Sequence, residues 1–304
     1  MGDRRLRLPG KLPMAQLLVS GVLLGGVYAL FALGLTLVFG VMRVINFAYG
    51  DIIMIAMYLA FWGKELLHID PYISAVALPV IFFVLGMTVL RPFVLKLNRI
   101  TPLAQTFSLL GVSIALQNLA LMLWTADFRS ISTSAASTVL HVGPVGLPLA
   151  RLVAFVVALL TALGVHLFIN RTTTGRAIRA TAQDPRVAAL MGVNVNYIYT
   201  FTFALSLALA ALAGGIMIPI FYVYPTFGFE MGIIAFVVIV LGGLGSVPGA
   251  VLAGLLIGLV ETLSGFWIAE NLKQLVYFTV FIAILVGRPS GLLGQRGAEE
   301  YKRQ

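Results

Sequence analysis

The sequence predicts an all-α, polytopic membrane protein of about eight to ten transmembrane helices, at about 20 residues per span plus connections. Three observations predict it. Hydrophobic residues make up 60% of the 304 residues and charged ones 10%, with a mean hydropathy of +1.03, whereas about a quarter of a soluble domain is charged. The net charge is +9, but its Lys and Arg sit in short loops between apolar runs, which is the pattern of cytoplasmic loops and not of a nucleic-acid surface. Each half of the chain also carries a Gly-rich helix break beside a shortened apolar run, so the chain reads as two pseudo-repeated halves.

Residues 1–13 form a basic tail with Arg4, Arg5, Arg7 and Lys11. Residues 14–170 make the first helical half. The first apolar run, 14–39, has no charge and is longer than a signal-peptide core, so it is a retained span. Gly25, Gly26 and Gly34 in it allow close helix approach. The segment GVMRVINFAYGD follows at 40–51, then a short apolar piece at 52–62 of about 16 Å as helix, roughly half a bilayer. Spans are predicted over 72–90, 101–124 and 152–169. The fourth is rich in Gln105, Ser108, Ser113, Gln117 and Asn118, which should face the bundle. Between it and the fifth, residues 125–148 form a polar loop.

Residues 171–196 carry Arg171, Arg176, Arg179 and Arg186 against one acid, Asp184. Charge of that density belongs in water at a membrane surface. Asp184 is a good N-cap, Pro185 fits the first helical position and Gly192 can close a C-terminus. The result is a helix of about seven residues, too short to stand alone. Its Val187, Leu190 and Met191 form one apolar stripe, free for a partner or for packing on the adjoining spans. Residues 197–288 form the second half, with spans over 197–224 and 249–268 and shorter apolar runs at 231–241 and 275–286, and 289–304 form a mostly basic tail.

Candidate positions in the membrane keep two readings each. Asn46, Tyr49, Gly50 and Asp51 either line a pathway or belong to a helix start capped by Asp51. Gly242, Gly243, Gly245, Ser246 and Gly249 are either an unwound element or small residues for close packing. Glu261, an acid inside an apolar run, is a functional candidate, or it snorkels or pairs with Lys273. With 171–196 in the cytoplasm, counting spans places 12 Lys and Arg inside and 8 outside, with the N-terminal tail outside. That opposes the positive-inside pattern at one end. Either there are nine spans, or one apolar run of the first half does not cross.

Several chemistries are excluded. Without cysteine there is no disulfide, thiol catalysis or thiolate metal site. His68, His141 and His166 have no ligand spacing, so no metal site is expected. No Ser/His/Asp grouping falls within the spans. No G-x-x-x-x-G-K-[ST] phosphate loop occurs, so ATP would have to be hydrolysed on another chain.

INFAYGD at 45–51, TGRAIRATAQDPRVAALMGVNV at 174–195 and VLGGLGSVPGAVLAG at 240–254 resemble the shorter permease subunits of branched-chain amino acid ABC importers, from about residue 14 to 294. The resemblance implies a heterodimer with a second, related permease, two cytoplasmic ATPases and an extracytoplasmic substrate-binding protein, in a bacterial inner membrane. It implies that this chain is a non-enzymatic translocation subunit with no cofactor of its own, ATP and Mg²⁺ residing on the partners. It also implies that 171–196 is the loop that couples to an ATPase. That role falls on Gly175, Arg176, Arg179, Ala180, Asp184, Pro185, Val187, Ala188, Leu190, Met191 and Gly192. The rival is an ion-coupled secondary transporter of small organic solutes, for which Asp51 and Glu261 would be the coupling acids.

Overall fold

The computed structural model describes residues 11–133, 138–143, 145–268 and 272–294. Arg4, Arg5 and Arg7 of the basic tail and residues 295–304 lie outside them. The described residues form twelve helices and one two-stranded hairpin. The first half holds α1 (Lys11–Met42), α2 (Tyr49–Leu67), α3 (Pro71–Met87), α4 (Arg91–Leu97), α5 (Pro102–Trp124), the hairpin β1 (Val139–Val142) and β2 (Val145–Pro148), and α6 (Leu149–Arg171). Then come α7 (Thr173–Gln183), α8 (Pro185–Leu190), α9 (Val195–Met217), α10 (Phe227–Gly242), α11 (Val247–Trp267) and α12 (Lys273–Gly287).

By length and composition α1, α5, α6, α9 and α11 can each cross a bilayer, while α3 with α4, bent by 58° at their break, has the form of a broken span or a re-entrant loop. The helices α10 and α12 are shorter and apolar. At 19 residues α2 is longer than its apolar run, because Gly63, Lys64 and Glu65 continue the helix past the last aromatic. It is about 28 Å long, close to a full crossing. The loop predicted over 125–148 contains the hairpin, turned at Gly143 with φ +60°.

The two halves interlock. From Gly21 onward α1 is almost wholly buried, packed most extensively on α11, while α9 packs most on α3. The α1–α11 seam is built on facing glycines. A Cβ on Gly25 would lie 2.5 Å from Leu255 Cα, and one on Gly258 would lie 2.3 Å from Gly25 N. Gly21 and Gly25 thus face Gly254 and Gly258, two small-x-x-x-small pairs that let the backbones touch where no hydrophobic effect separates helix from lipid. In α9, Gly214 meets the backbone of Ile53 in α2 and Gly215 that of Ala75 in α3.

The same contacts fix the direction of α1. Gly21 lies at Leu259, Gly25 at Leu255 and Gly40 at Gly245, so α1 runs antiparallel to α11. Near its start, the Gln16 amide donates to Gly146 O at 2.8 Å and accepts from Gly146 N at 2.8 Å, on β2. At its end Val41 packs with Ile178 of α7 and Ile198 of α9. The N-terminal end of α1 is therefore on the hairpin face, opposite the arginine face that carries α7 and α8.

Not every polar side chain of α5 faces inward. Gln105 and Ser113 are buried and Gln117 half-buried, but Ser108 and Asn118 are exposed. Much of α5 and α6 presents apolar side chains outward, among them Phe107, Ile114, Met122, Leu160 and Leu163.

Candidate functional site

On the arginine face the chain leaves α6 through two short helices. Thr172 opens α7, its Oγ1 accepting from Gly175 N at 2.9 Å while donating to Phe168 O at 2.7 Å. Gly175 has no room for a side chain, since a Cβ would lie 2.3 Å from Phe168 O. Ile178 is buried and the Arg179 guanidinium donates to Ile169 O and, at 3.2 Å, to Asn170 Oδ1, tying α7 to the carbonyl end of α6. Sequence reasoning did not separate α7. Its signal is the small or apolar spacing Gly175, Ile178 and Thr181, the three residues the fold buries.

Asp184 then caps α8. Its Oδ1 accepts from Arg186 N at 2.7 Å and Val187 N at 3.1 Å, with Pro185 in the first turn. Two orphan N–H groups at the helix start are thereby satisfied. Gly192, at φ +85°, turns the chain away, and Val193 N donates back to Ala188 O at 3.0 Å. One side of α8 is fixed to the protein by Ala188, 3% exposed, while Val187 is 54%, Leu190 87% and Met191 80% exposed. Pro185, Arg176 and Arg186 are exposed as well, and Ala180 and Asp184 are half-buried. Arg43 ends α1 in a left-handed conformation, φ 54°, and reaches Ala182 O at 3.4 Å.

Within the bundle, the stretch 46–51 starts α2 but is not capped by Asp51: the cap position is Ala48, with no side-chain bond. Asp51 is fully buried and accepts from Ser113 Oγ on α5, and Gln117 Nε2 donates to Ser113 Oγ at 3.0 Å. An amide, a hydroxyl and a carboxylate thus form a donor line from α5 into the bundle. Gly50 is pressed on α10, where a Cβ would lie 1.9 Å from Gly228 O. Tyr49 is buried with its hydroxyl against Gly34, and Asn46 is buried with Oδ1 unpartnered.

Gly242, Gly243, Gly245, Ser246 and Gly249 form the tight connection between α10 and α11. Gly243 and Gly245 have φ +101° and +84°, and Ser246 Oγ accepts from Gly249 N at 3.2 Å. The chain after α12 closes over this turn: Leu292 N donates to Leu241 O at 2.7 Å and Leu293 N to Gly242 O at 3.0 Å. A Cβ on Gly243 would fall 2.4 Å from Gly294 N. This backbone approach explains the need for glycine at Gly243, and nothing local in the sequence announces it.

Glu261 sits elsewhere. Tyr28 Oη donates to its Oε2 at 2.6 Å and Lys273 Nζ lies 3.4 Å from Oε1, so the acid joins α1, α11 and α12. The structure does not gather 46–51, the glycine turn and Glu261 into one place; each has its own partners. Tyr28→Phe removes a hydrogen bond to a buried carboxylate, a loss of about 1.5–3 kcal/mol. A thermal melt of the purified protein should show it as a lower midpoint, with Lys273→Ala milder because that side chain is 34% exposed.

A cavity of about 540 Å³ opens near the end of α5, between Gln117, Leu121 and Phe128 on one side and Tyr224, Thr226 and Glu230 on the other. Tyr224 Oη donates to Glu230 Oε2 at 2.7 Å. Burial, then the neighbouring carboxylate, push that hydroxyl well above the usual tyrosine range, so it remains a donor. Sequence reasoning named neither Tyr224 nor Glu230; Glu230, the lone acid in front of an apolar run, was the available signal.

The family model described as "Branched-chain amino acid transport system / permease component" matches residues 17–285. Among curated relatives, the high-affinity branched-chain amino acid transport system permease protein BraD of Pseudomonas aeruginosa is 34% identical over 299 residues, covering 94% of this chain and 97% of that protein. LivH of Escherichia coli is 32% identical with the same coverage, and a probable LivH of Methanocaldococcus jannaschii is 29% identical over 92% of each chain. No solved structure matches. On the extent of the family match and of the BraD and LivH alignments, the chain belongs to the permease components of branched-chain amino acid transport systems.

Proposed function

We propose that this chain is the translocation subunit of an ATP-binding-cassette importer that carries branched-chain amino acids into the cytoplasm across a bacterial inner membrane. The observation that carries the reading is α8, a capped helix of six residues fixed by Ala188 and presenting Val187, Leu190 and Met191 outward. An exposed apolar stripe on a polar loop of a membrane protein suits a groove on a soluble partner. The chain has no phosphate loop of its own, so the partner is an ATPase, present twice in the complex, and ATP and Mg²⁺ bind there. The arginine face is then cytoplasmic and the hairpin face meets the substrate-binding protein. A second, related permease and the lipid bilayer cover the apolar faces of α5 and α6.

ATP binding and hydrolysis move the ATPase pair, α8 and α7 pass the motion to α6, α1 and α9, and the bundle switches access between its two faces. The test is leucine uptake into proteoliposomes holding the two permeases and two ATPases, with the binding protein outside and ATP inside. Uptake should require ATP and persist when ionophores collapse every ion gradient. Uptake that survives without ATP and falls with an ion gradient would instead make the chain an ion-coupled secondary transporter.

A further inference from the structure

We propose that the cavity between the end of α5 and the start of α10 is a binding site on the hairpin face for the ammonium group of an aliphatic amino acid. Among the residues that line it, Glu230 is the one charged side chain. Its Oε2 is engaged by Tyr224 Oη, which leaves Oε1 as an acceptor. The two amides add more acceptors: Gln117 Nε2 donates to Ser113 and Asn118 Nδ2 to Ile114 O at 2.8 Å, so both amide oxygens remain open to donors. A wall of carboxylate and amide oxygens suits a primary ammonium group with three N–H donors.

The remaining lining is apolar. Leu121, Phe128 and Pro225 face the same space, with the Phe128 ring 4.7 Å from that of Tyr224. Such a wall accommodates a branched hydrocarbon chain, and about 540 Å³ falls within the range of small-molecule sites. The loop cation Arg129 is not among the lining residues; its guanidinium lies over Phe61 and Trp62 and donates to Trp124 O at 3.1 Å. The ligand's carboxylate is therefore left toward the open side, where Asn118, Thr226 and Glu230 are exposed. From this cavity Gln117 leads through Ser113 to the buried Asp51, so the site stands at the outer end of a polar line into the bundle.

The choice of an amino acid as ligand rests on the transport reading above; the experiment reads binding without ATP, so the two can fail separately. The natural chain has no cysteine, and Thr226→Cys places one at the cavity rim. A membrane-impermeant maleimide added to intact cells making the full complex should label it. L-leucine and 3-methylbutylamine should both slow labelling, by about tenfold at about ten times the dissociation constant, while 4-methylpentanoate, which lacks the ammonium group, should not. Adding Glu230→Gln, whose amide oxygen still accepts from Tyr224, should remove the protection. Should that variant not accumulate, Asn118→Leu on the exposed rim serves in its place and should weaken it. Labelling only from the cytoplasmic side, equal protection by 4-methylpentanoate, protection by potassium chloride alone, or protection that survives Glu230→Gln would each overturn the proposal. ATP-driven uptake with no protection would overturn it while leaving the importer intact.

Discussion

Leu190→Asp abolishes ATP-driven uptake while the chain stays folded in the membrane. Leu190 is 87% exposed, so its replacement removes almost no internal packing, and exposed substitutions of this kind cost a protein little. In a complex the same side chain would sit at the centre of the apolar stripe. A central apolar anchor is worth about 2 kcal/mol or more when truncated, about 30-fold in affinity. A carboxylate buried in the partner's groove adds its desolvation cost. The expected readout is loss of the ATPases when the permease is pulled from detergent extract, with an unchanged melting midpoint for the permease itself. Gln183→Ala, also exposed but outside the stripe and outside the residues assigned to coupling, should retain the ATPases. Equal recovery of ATPase with Leu190→Asp and with the native chain would remove α8 from the docking role.

The contrast between α8 and its surroundings shows what a sequence carries. Asp184, Pro185 and Gly192 act within four residues of themselves, through cap bonds and a left-handed turn, so their roles follow from residue type and order alone. Helical spacing put Val187, Leu190 and Met191 on one stripe but left open whether it packs on the adjoining spans, and the fold leaves it exposed. Partnerships between distant residues were invisible. Ser113 reaches Asp51 across 62 positions and Tyr28 reaches Glu261 across 233, and no local pattern encodes either. For Asp51, capping was one of two readings at a helix start; in the fold its Oδ2 accepts from Ser113 of α5 instead. Glycines posed the same difficulty, because a glycine announces close approach without naming what approaches. Gly25 meets α11, Gly26 the ring of Phe155 and Gly34 the hydroxyl of Tyr49. Charge alone did not give the direction of α1 relative to the other helices either; the facing glycines of α1 and α11 do.

Gly50→Ala produces a large structural defect from a single methyl group. The added Cβ would stand 1.9 Å from Gly228 O and 2.8 Å from Gly232 N, both backbone atoms of α10, so no side-chain rotation relieves the clash. Nor can Gly228 step aside along this seam, since its own Cβ position lies 2.6 Å from Asp51 Cα. The helices must separate, and overpacking of this kind costs about 1–3 kcal/mol, occasionally more. Gly111→Ala is the control, in an exposed part of α5 with nothing within 4 Å of its Cβ. There the same methyl should be neutral, or stabilise by about 0.5–1 kcal/mol through helix propensity. Melting the two purified variants should therefore move their midpoints in opposite directions, or leave Gly111→Ala unmoved. A Gly50→Ala protein that melts with the native one would show that α2 and α10 are less tightly apposed than described. Separation of α2 from α10 also displaces Asp51, one residue along, from Ser113. The fraction of Gly50→Ala that folds should then insert and bind ATPase through α8 yet transport poorly, since the damage falls on the polar line and not on the docking helix.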